Sequence, residues 1–118
     1  MKFCKENEYN SIEYKRHISF LTKDKLERYA TQMNYRLFNG KGNAIYLIGI
    51  DDNGEIVGLS YKKLLESIRN LISICKIIDA TYKKIIIISN HNNFFSIVKI
   101  HSQKKEYTEP KYICFDYM

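Results

Sequence analysis

From Ile12 the chain alternates, with Ile12, Tyr14 and Ile18 on one side and Glu13, Lys15 and His17 on the other, as in a half-buried strand. The spacing then changes. Thr22 can cap a helix, Asp24 sits favourably in its first turn, and Gly40 can end it. Between them Leu26, Tyr29, Ala30, Met33 and Leu37 form one apolar stripe. A second strand over residues 43–52 is apolar on both faces except at Gly49, which predicts a central position in its sheet. Asn53-Gly54 signals a two-residue type I′ turn into a third strand at residues 55–59. Ser60 then caps a second helix that buries Leu64, Leu65, Ile68, Leu71, Ile72, Cys75 and Ile78. Its opposite face carries Lys62, Glu66, Arg69, Ser73 and Lys76.

Residues 83–89, "KKIIIIS", are a β-branched run that reads as another buried strand. The turn "NHNN" joins it to a strand at residues 94–100. Pro110 punctuates a polar stretch before "KYICFDYM", a last strand-like segment. The order β-α-β-β-α-β plus one or two extra strands predicts an α+β ferredoxin-like sandwich, with two helices on one face of a mainly antiparallel sheet. Residues 1–9 read as a loose tail and 10–102 as a single domain. Residues 103–118 read as a linker and terminal strand, belonging either to this domain or to the start of a following one.

Two glycines interrupt the central hairpin. With a two-residue turn at Asn53-Gly54, Gly49 falls opposite Gly58, and the two missing side chains leave a notch in the sheet. A helix packing onto the sheet is the expected occupant, with another domain or a ligand as alternatives.

Composition narrows the picture only a little. The chain has 118 residues, 45% of them apolar and 14% aromatic, which is enough for one folded domain. The formal charge is +6, with the excess in residues 1–40 and 81–118, so there is no polybasic tail. A mild excess is compatible with RNA or ribosome contact, but a lysine-rich composition is the more ordinary reason for it. The 3 cysteines, Cys4, Cys75 and Cys114, form no CxxC pair, which argues against a disulfide framework or a zinc site. No apolar run suits a signal peptide or a membrane span, so the expectation is a cytoplasmic protein without a membrane partner.

Motifs for chemistry are sparse. Neither GxxxxGK[ST] nor GxGxxG occurs, and "DDNGE" lacks the spacing of a calcium loop. His17, His91 and His101 do not converge by spacing, so neither a catalytic nor a metal site is expected, and no cofactor in this chain. The sharper feature is on the first helix, where Arg28, Gln32 and Tyr35 point away from the apolar stripe with Arg36 on its shoulder. An aromatic between two arginines and an amide is a candidate contact patch for protein or RNA. The alternative is an amphipathic tyrosine lying along its own helix.

Several spaced segments together carry a family likeness. "EYK" (residues 13–15), "TQMNYRL" (31–37), "GKGNAIYLIGIDDNGEIVGL" (40–59) and the Ser67, Asn70 and Leu71 of "S..NL" resemble the N-terminal region of the GTP-binding protein 1/2 family. These are translational GTPases related to elongation factors Tu and 1-alpha. The likeness covers residues 12–80 and fades by Ile100. The family usually has Trp where Tyr35 stands and Gly where Asp79 stands.

The resemblance implies a parent protein that binds GTP and Mg in a separate GTPase domain and acts in translation or ribosome and mRNA quality control. This chain would be its non-catalytic N-terminal accessory domain, with that GTPase domain and the ribosome or RNA as partners. A looser likeness of "IGIDDNGEIVGL" to AlbA-type DNA-binding modules supports the alternative, an autonomous RNA- or DNA-binding module using the glycine hairpin and basic surface.

Overall fold

The computed structural model describes residues 2–104. Its elements run β1 (Ile12–Lys15), α1 (Lys23–Asn39), β2 (Asn43–Ile48), α2 (Tyr61–Ile77), β3 (Ala80–Asn90) and β4 (Asn93–Ser102). The four strands form one mixed sheet in the order β1-β2-β4-β3. β1 and β2 are parallel, as a helical crossover through α1 allows, and both other pairings are antiparallel. The result is the expected α+β sandwich, compatible with a ferredoxin-like arrangement.

Both helices start where their caps are. Thr22 Oγ1 accepts from Lys25 N at 3.2 Å and Ser60 Oγ from Lys63 N at 3.3 Å. Asp79, just past α2, has φ +56°, the left-handed conformation that glycine adopts without strain and Asp tolerates. One core lies between the helices and the sheet: Ala30, Met33 and Leu37 meet Tyr46, Ile48, Leu64, Leu71, Val98 and Ile100. Cys75 is buried there against Met33, and burial pushes its thiol up to about 12, well away from reactivity.

A second, smaller core covers part of the other sheet face. Tyr14, Leu47, Ile50 and Phe95 form it, with Phe3, Ile56 and Ile88 packed alongside. Its cover is the N-terminal segment, which is therefore not a loose tail at residues 3–6. Phe3 N donates to Gly54 O at 2.8 Å, Glu6 N to Asp52 O at 2.7 Å, and the Phe3 ring meets Phe95 edge-on. The aromatic at position 3 is what makes the strap worth ordering, since it buries against a face no helix covers.

The central hairpin differs from expectation in its turn. Gly54 N bonds Asp51 O at 2.8 Å and Asp51 N bonds Glu55 O at 2.9 Å, with positive φ at Gly54 but not at Asn53. That is a type I turn closed by a glycine bulge, one residue longer than type I′. The register moves by one: Ile50 bridges Ile56, and Gly49 O accepts from both Val57 N and Gly58 N at 3.0 Å. The third strand shrinks to isolated bridges at Glu55, Ile56 and Leu59. No helix fills the glycine notch. A Cβ at Gly49 would meet Phe95 Cβ at 3.1 Å and one at Gly58 would meet Asn93 Cβ at 2.7 Å, so the glycines admit the start of β4.

The isoleucine run is also placed differently. β3 is an edge strand, and Ile85, Ile86, Ile87 and Ile88 are all half-buried or exposed rather than enclosed. The expected strand in residues 111–118 lies outside the described residues.

Candidate functional site

Glu13 projects from β1 toward α1, where the half-buried-strand pattern predicts water. It is 6% exposed, and the charge is matched by Arg36 from the last turn of α1, Nε to Oε1 at 3.1 Å. Arg36 Nη1 donates to Asn7 O at 2.8 Å and Asn10 O at 2.7 Å, and its Nη2 lies 3.7 Å from Glu6. The guanidinium thus fastens α1 to β1 and to the N-terminal segment. A planar fork of donors suits four partners in different directions, which a lysine could not serve.

Lys15, two residues along β1, completes the cluster. Its Nζ donates to Gln32 Oε1 at 2.8 Å, stands 3.8 Å from Glu13, and sits 4.5 Å over the Tyr29 ring. Burial pulls its ammonium below the usual lysine value, against the opposing pull of Glu13. Glu6 Oε2 accepts from Tyr14 N at 2.5 Å, and the Tyr14 hydroxyl donates to Cys4 O at 2.6 Å. Desolvation, together with the hydrogen bond to the neighbouring Glu13 carboxyl, pushes Glu6 up to about 7 despite the Tyr14 N–H that favours its charge.

These contacts split the candidate patch. Arg36 is 4% exposed and committed inside, so it cannot belong to an exposed patch. Gln32 is held by Lys15. Arg28 and Tyr35 remain on the surface, Arg28 with its guanidinium 5.7 Å from the Tyr29 ring and Tyr35 at 37% exposure. Two aromatics that the sequence did not single out join them. Phe38 is 39% exposed one turn beyond Tyr35, and Tyr9 in the N-terminal turn is 75% exposed. The N-terminal turn is brought there by Arg36, a long-range contact with no local signal. Glu13 could have been flagged: a charge on a strand that pairs in parallel under a crossover helix is buried and needs a partner.

The motifs of the resemblance meet one another. "EYK" and "TQMNYRL" join through the Glu13–Arg36 and Lys15–Gln32 contacts. Ser67 and Asn70 on α2 pin the loop after β1: Ile18 N donates to Ser67 Oγ at 2.9 Å, and Asn70 Nδ2 donates to Ile18 O at 2.8 Å and Ser19 O at 3.0 Å. His17 is 2.8 Å from Glu66 on the exposed side of that loop. The glycine-hairpin residues Gly49, Asn53, Gly54 and Gly58 shape a turn: Asn53 Oδ1 accepts from Glu55 N at 2.9 Å, and Gly54 lies against the Phe3 carbonyl. Among the described residues, no group of three or more His, Cys, Asp or Glu side chains could hold a metal ion, and no helix is long and apolar enough to cross a membrane.

Comparison with known proteins gives two kinds of relative. The chain is 37% identical over 98 residues to "Uncharacterized protein R625" of Acanthamoeba polyphaga mimivirus, covering 82% of this chain and 51% of that protein. It is 39% identical over 66 residues, 56% of the chain, to "GTP-binding protein 2" of Mus musculus and of Homo sapiens. The chain thus spans about half the length of the viral relative and 11% of the mammalian ones. No protein-family model and no solved structure matches it. The identity supports a link to the GTP-binding proteins.

Proposed function

We propose that this chain is a non-catalytic accessory domain of an elongation-factor-like GTP-binding protein, placed N-terminal to the GTPase domain and contacting it or the ribosome. The likeness to GTP-binding protein 2 over more than half of the chain carries the reading. The geometry supports it: Glu13, Lys15 and Arg36 of the "EYK" and "TQMNYRL" motifs are spent on internal contacts, which fits a scaffold that presents a surface. In this reading GTP and Mg are held by the parent's own nucleotide-binding domain, and the parent acts in translation or in ribosome and mRNA quality control. The exposed Arg28, Tyr35, Phe38 and Tyr9 supply the contact.

The test has two arms. Calorimetry of the isolated chain with a guanine nucleotide is expected to show no binding, and micromolar binding would overturn the non-catalytic reading. The same chain, added to a GTP-binding protein lacking its matching segment, is expected to associate in trans or to co-sediment with ribosomes. Failure of both would overturn the interaction role.

A second reading, an autonomous RNA- or DNA-binding module, is favoured by one observation. Lys84 and Lys99 stand directly opposite across β3 and β4, where like charges repel unless an anion lies between them, and Thr81 and His101 pair two residues further along. If this surface binds nucleic acid, affinity should fall steeply with salt. Salt-independent binding, or none, counts against it.

A further inference from the structure

The outer edge of β3 is unusual for a sheet edge. β4 pairs with one side of it and no strand among the described residues pairs with the other. Sheets protect such edges with short strands, charges, proline or bulges. The opposite edge, β1, is only 4 residues long. β3 has 11 residues, and its protection sits near its beginning: Lys83, Lys84 and a register shift between Tyr82 and Lys84. Past that point Ile85, Ile86, Ile87 and Ile88 follow without a charge, and Ile87 is exposed.

The ladder decides which backbone groups are open. Phe94 and Leu59 exchange both backbone bonds at 2.8 Å, so the Phe94 groups turn away from β3. Direction alternates along a strand, so Phe95 and Ile97 turn toward β3, where they pair with Ile88 and Ile86. Ser96 Oγ donating to Ile86 O at 2.8 Å agrees with an inward-facing Ile86 carbonyl. Ile85, Ile87 and Ser89 therefore aim their N–H and C=O groups outward. Such a row is what an extended peptide pairs with when it adds to a sheet.

The charge beside the edge selects the kind of strand. Lys83, Lys84 and Lys99 are all exposed, and among the described residues no carboxylate lies within ion-pair distance of them. Lys84 stands directly opposite Lys99, a like-charge pair that costs stability unless an anion answers it. A second copy of the chain would bring β3 itself, which carries no carboxylate, and leave the lysines unmatched. A nucleic acid would answer the lysines but not the backbone row. The aromatics Tyr14 and Phe95 of this sheet face are also buried, away from any base that would stack. An acidic peptide answers both features.

We propose that the free edge of β3 takes up an extended acidic segment of a partner protein as an added strand. Ile85, Ile87 and Ser89 exchange backbone hydrogen bonds with it, and Lys83, Lys84 and Lys99 meet its carboxylates. This surface lies on a different element from the α1 patch and does not depend on it.

The test uses the full chain and a labelled peptide of alternating valine and threonine, flanked at each end by a pair of glutamates, followed by fluorescence anisotropy. The peptide is expected to bind saturably, and a version with lysine for every glutamate at least tenfold more weakly. The chain with Lys83→Glu and Lys84→Glu should reverse that preference. Ile87→Pro removes an N–H that faces out rather than one that pairs with β4. Its urea midpoint should stay close to the parent's while peptide binding falls at least tenfold. No binding to the parent, or binding unchanged in both variants, would overturn the proposal. A labelled single-stranded RNA that binds more tightly than the peptide, and equally well to Ile87→Pro, would assign the lysines to nucleic acid and overturn it too. So would a dimer in sedimentation that Ile87→Pro dissociates, which would give the edge to a second copy.

Discussion

Arg36 and Glu13 face each other in the interior, Nε to Oε1 at 3.1 Å, with side chains only 5% and 8% exposed. One belongs to the last turn of α1 and the other to β1, so the pair locks the crossover helix onto the edge strand. Deleting one member of a buried pair strands the other charge, at a cost of ~3–5 kcal/mol. Arg36→Ala is therefore expected to lower the urea midpoint by that equivalent, and Arg36→Lys to recover only part of it, because an ammonium cannot reach Asn7, Asn10 and Glu13 together. A loss of stability below about 1 kcal/mol in Arg36→Ala would show that the pair is not structural.

The hairpin glycines differ in what a side chain would meet. At Gly54, φ is +92° and a Cβ would lie 2.0 Å from the Phe3 carbonyl oxygen, which is backbone and cannot turn aside. At Gly58, φ is +70° and the nearest atom is Asn93 Cβ at 2.7 Å, a wider approach but one that only a movement of the Asn93 backbone relieves. Left-handed backbone costs roughly 1–2 kcal/mol for an ordinary residue at either site. Gly58→Ala should cost at least that much, because Asn93 must also give way. Gly54→Ala should cost more, because it also displaces the N-terminal strap. Thermal melts of the two variants check the order, and equal losses would argue that the strap does not lean on Gly54.

Local chemistry explains what the sequence made legible. Thr22 and Ser60 begin their helices because a hydroxyl satisfies a free N–H, and the apolar stripes of both helices face the core for the same reason they are stripes. The misplaced features were settled at long range. Four isoleucines read as a buried strand, but strand order put them on an edge, which residue pattern does not encode. The turn at Asn53-Gly54 suits two hairpin types, and the Phe3 bond to Gly54 accompanies the longer one. Arg36 looked like a surface residue on the helical wheel because its partners, Glu13 and the carbonyls of Asn7 and Asn10, lie twenty or more positions earlier.

Glu6 makes the strap sensitive to pH. Its carboxyl is pushed up to about 7, mainly by burial and then by the adjoining Glu13 and Asp52, against the Tyr14 N–H that favours the charged form. Between the ordinary carboxylate value and about 7 the folded chain holds a proton that the unfolded chain releases. Stability from this group is thus full at low pH and declines as pH rises through that window. Urea midpoints at pH 5, 6, 7 and 8 should fall in the parent and change less in Glu6→Gln. Parallel profiles would show that Glu6 does not carry the effect.

Tyr35 and Arg28 are the two residues of the helical patch that the interior does not claim. Tyr35 is 37% exposed, and Phe38, one turn further along α1, is 39% exposed. Exposed aromatic and arginine side chains on one helix are the composition of binding hot spots, where a few such residues carry most of the affinity. Neither side chain makes a contact that folding depends on, beyond the 5.7 Å approach of Arg28 to the Tyr29 ring. The double variant Tyr35→Ala with Arg28→Ala should therefore keep its urea midpoint within about 0.5–1 kcal/mol of the parent. Under the proposed function, association with a GTPase domain or the ribosome should weaken by ~1–3 kcal/mol, with Phe38→Ala adding to the loss. The two readouts separate a docking surface from a structural one. A variant that unfolds readily while the folded fraction binds normally would assign the patch to the fold, and one that folds and binds like the parent would place the contact elsewhere.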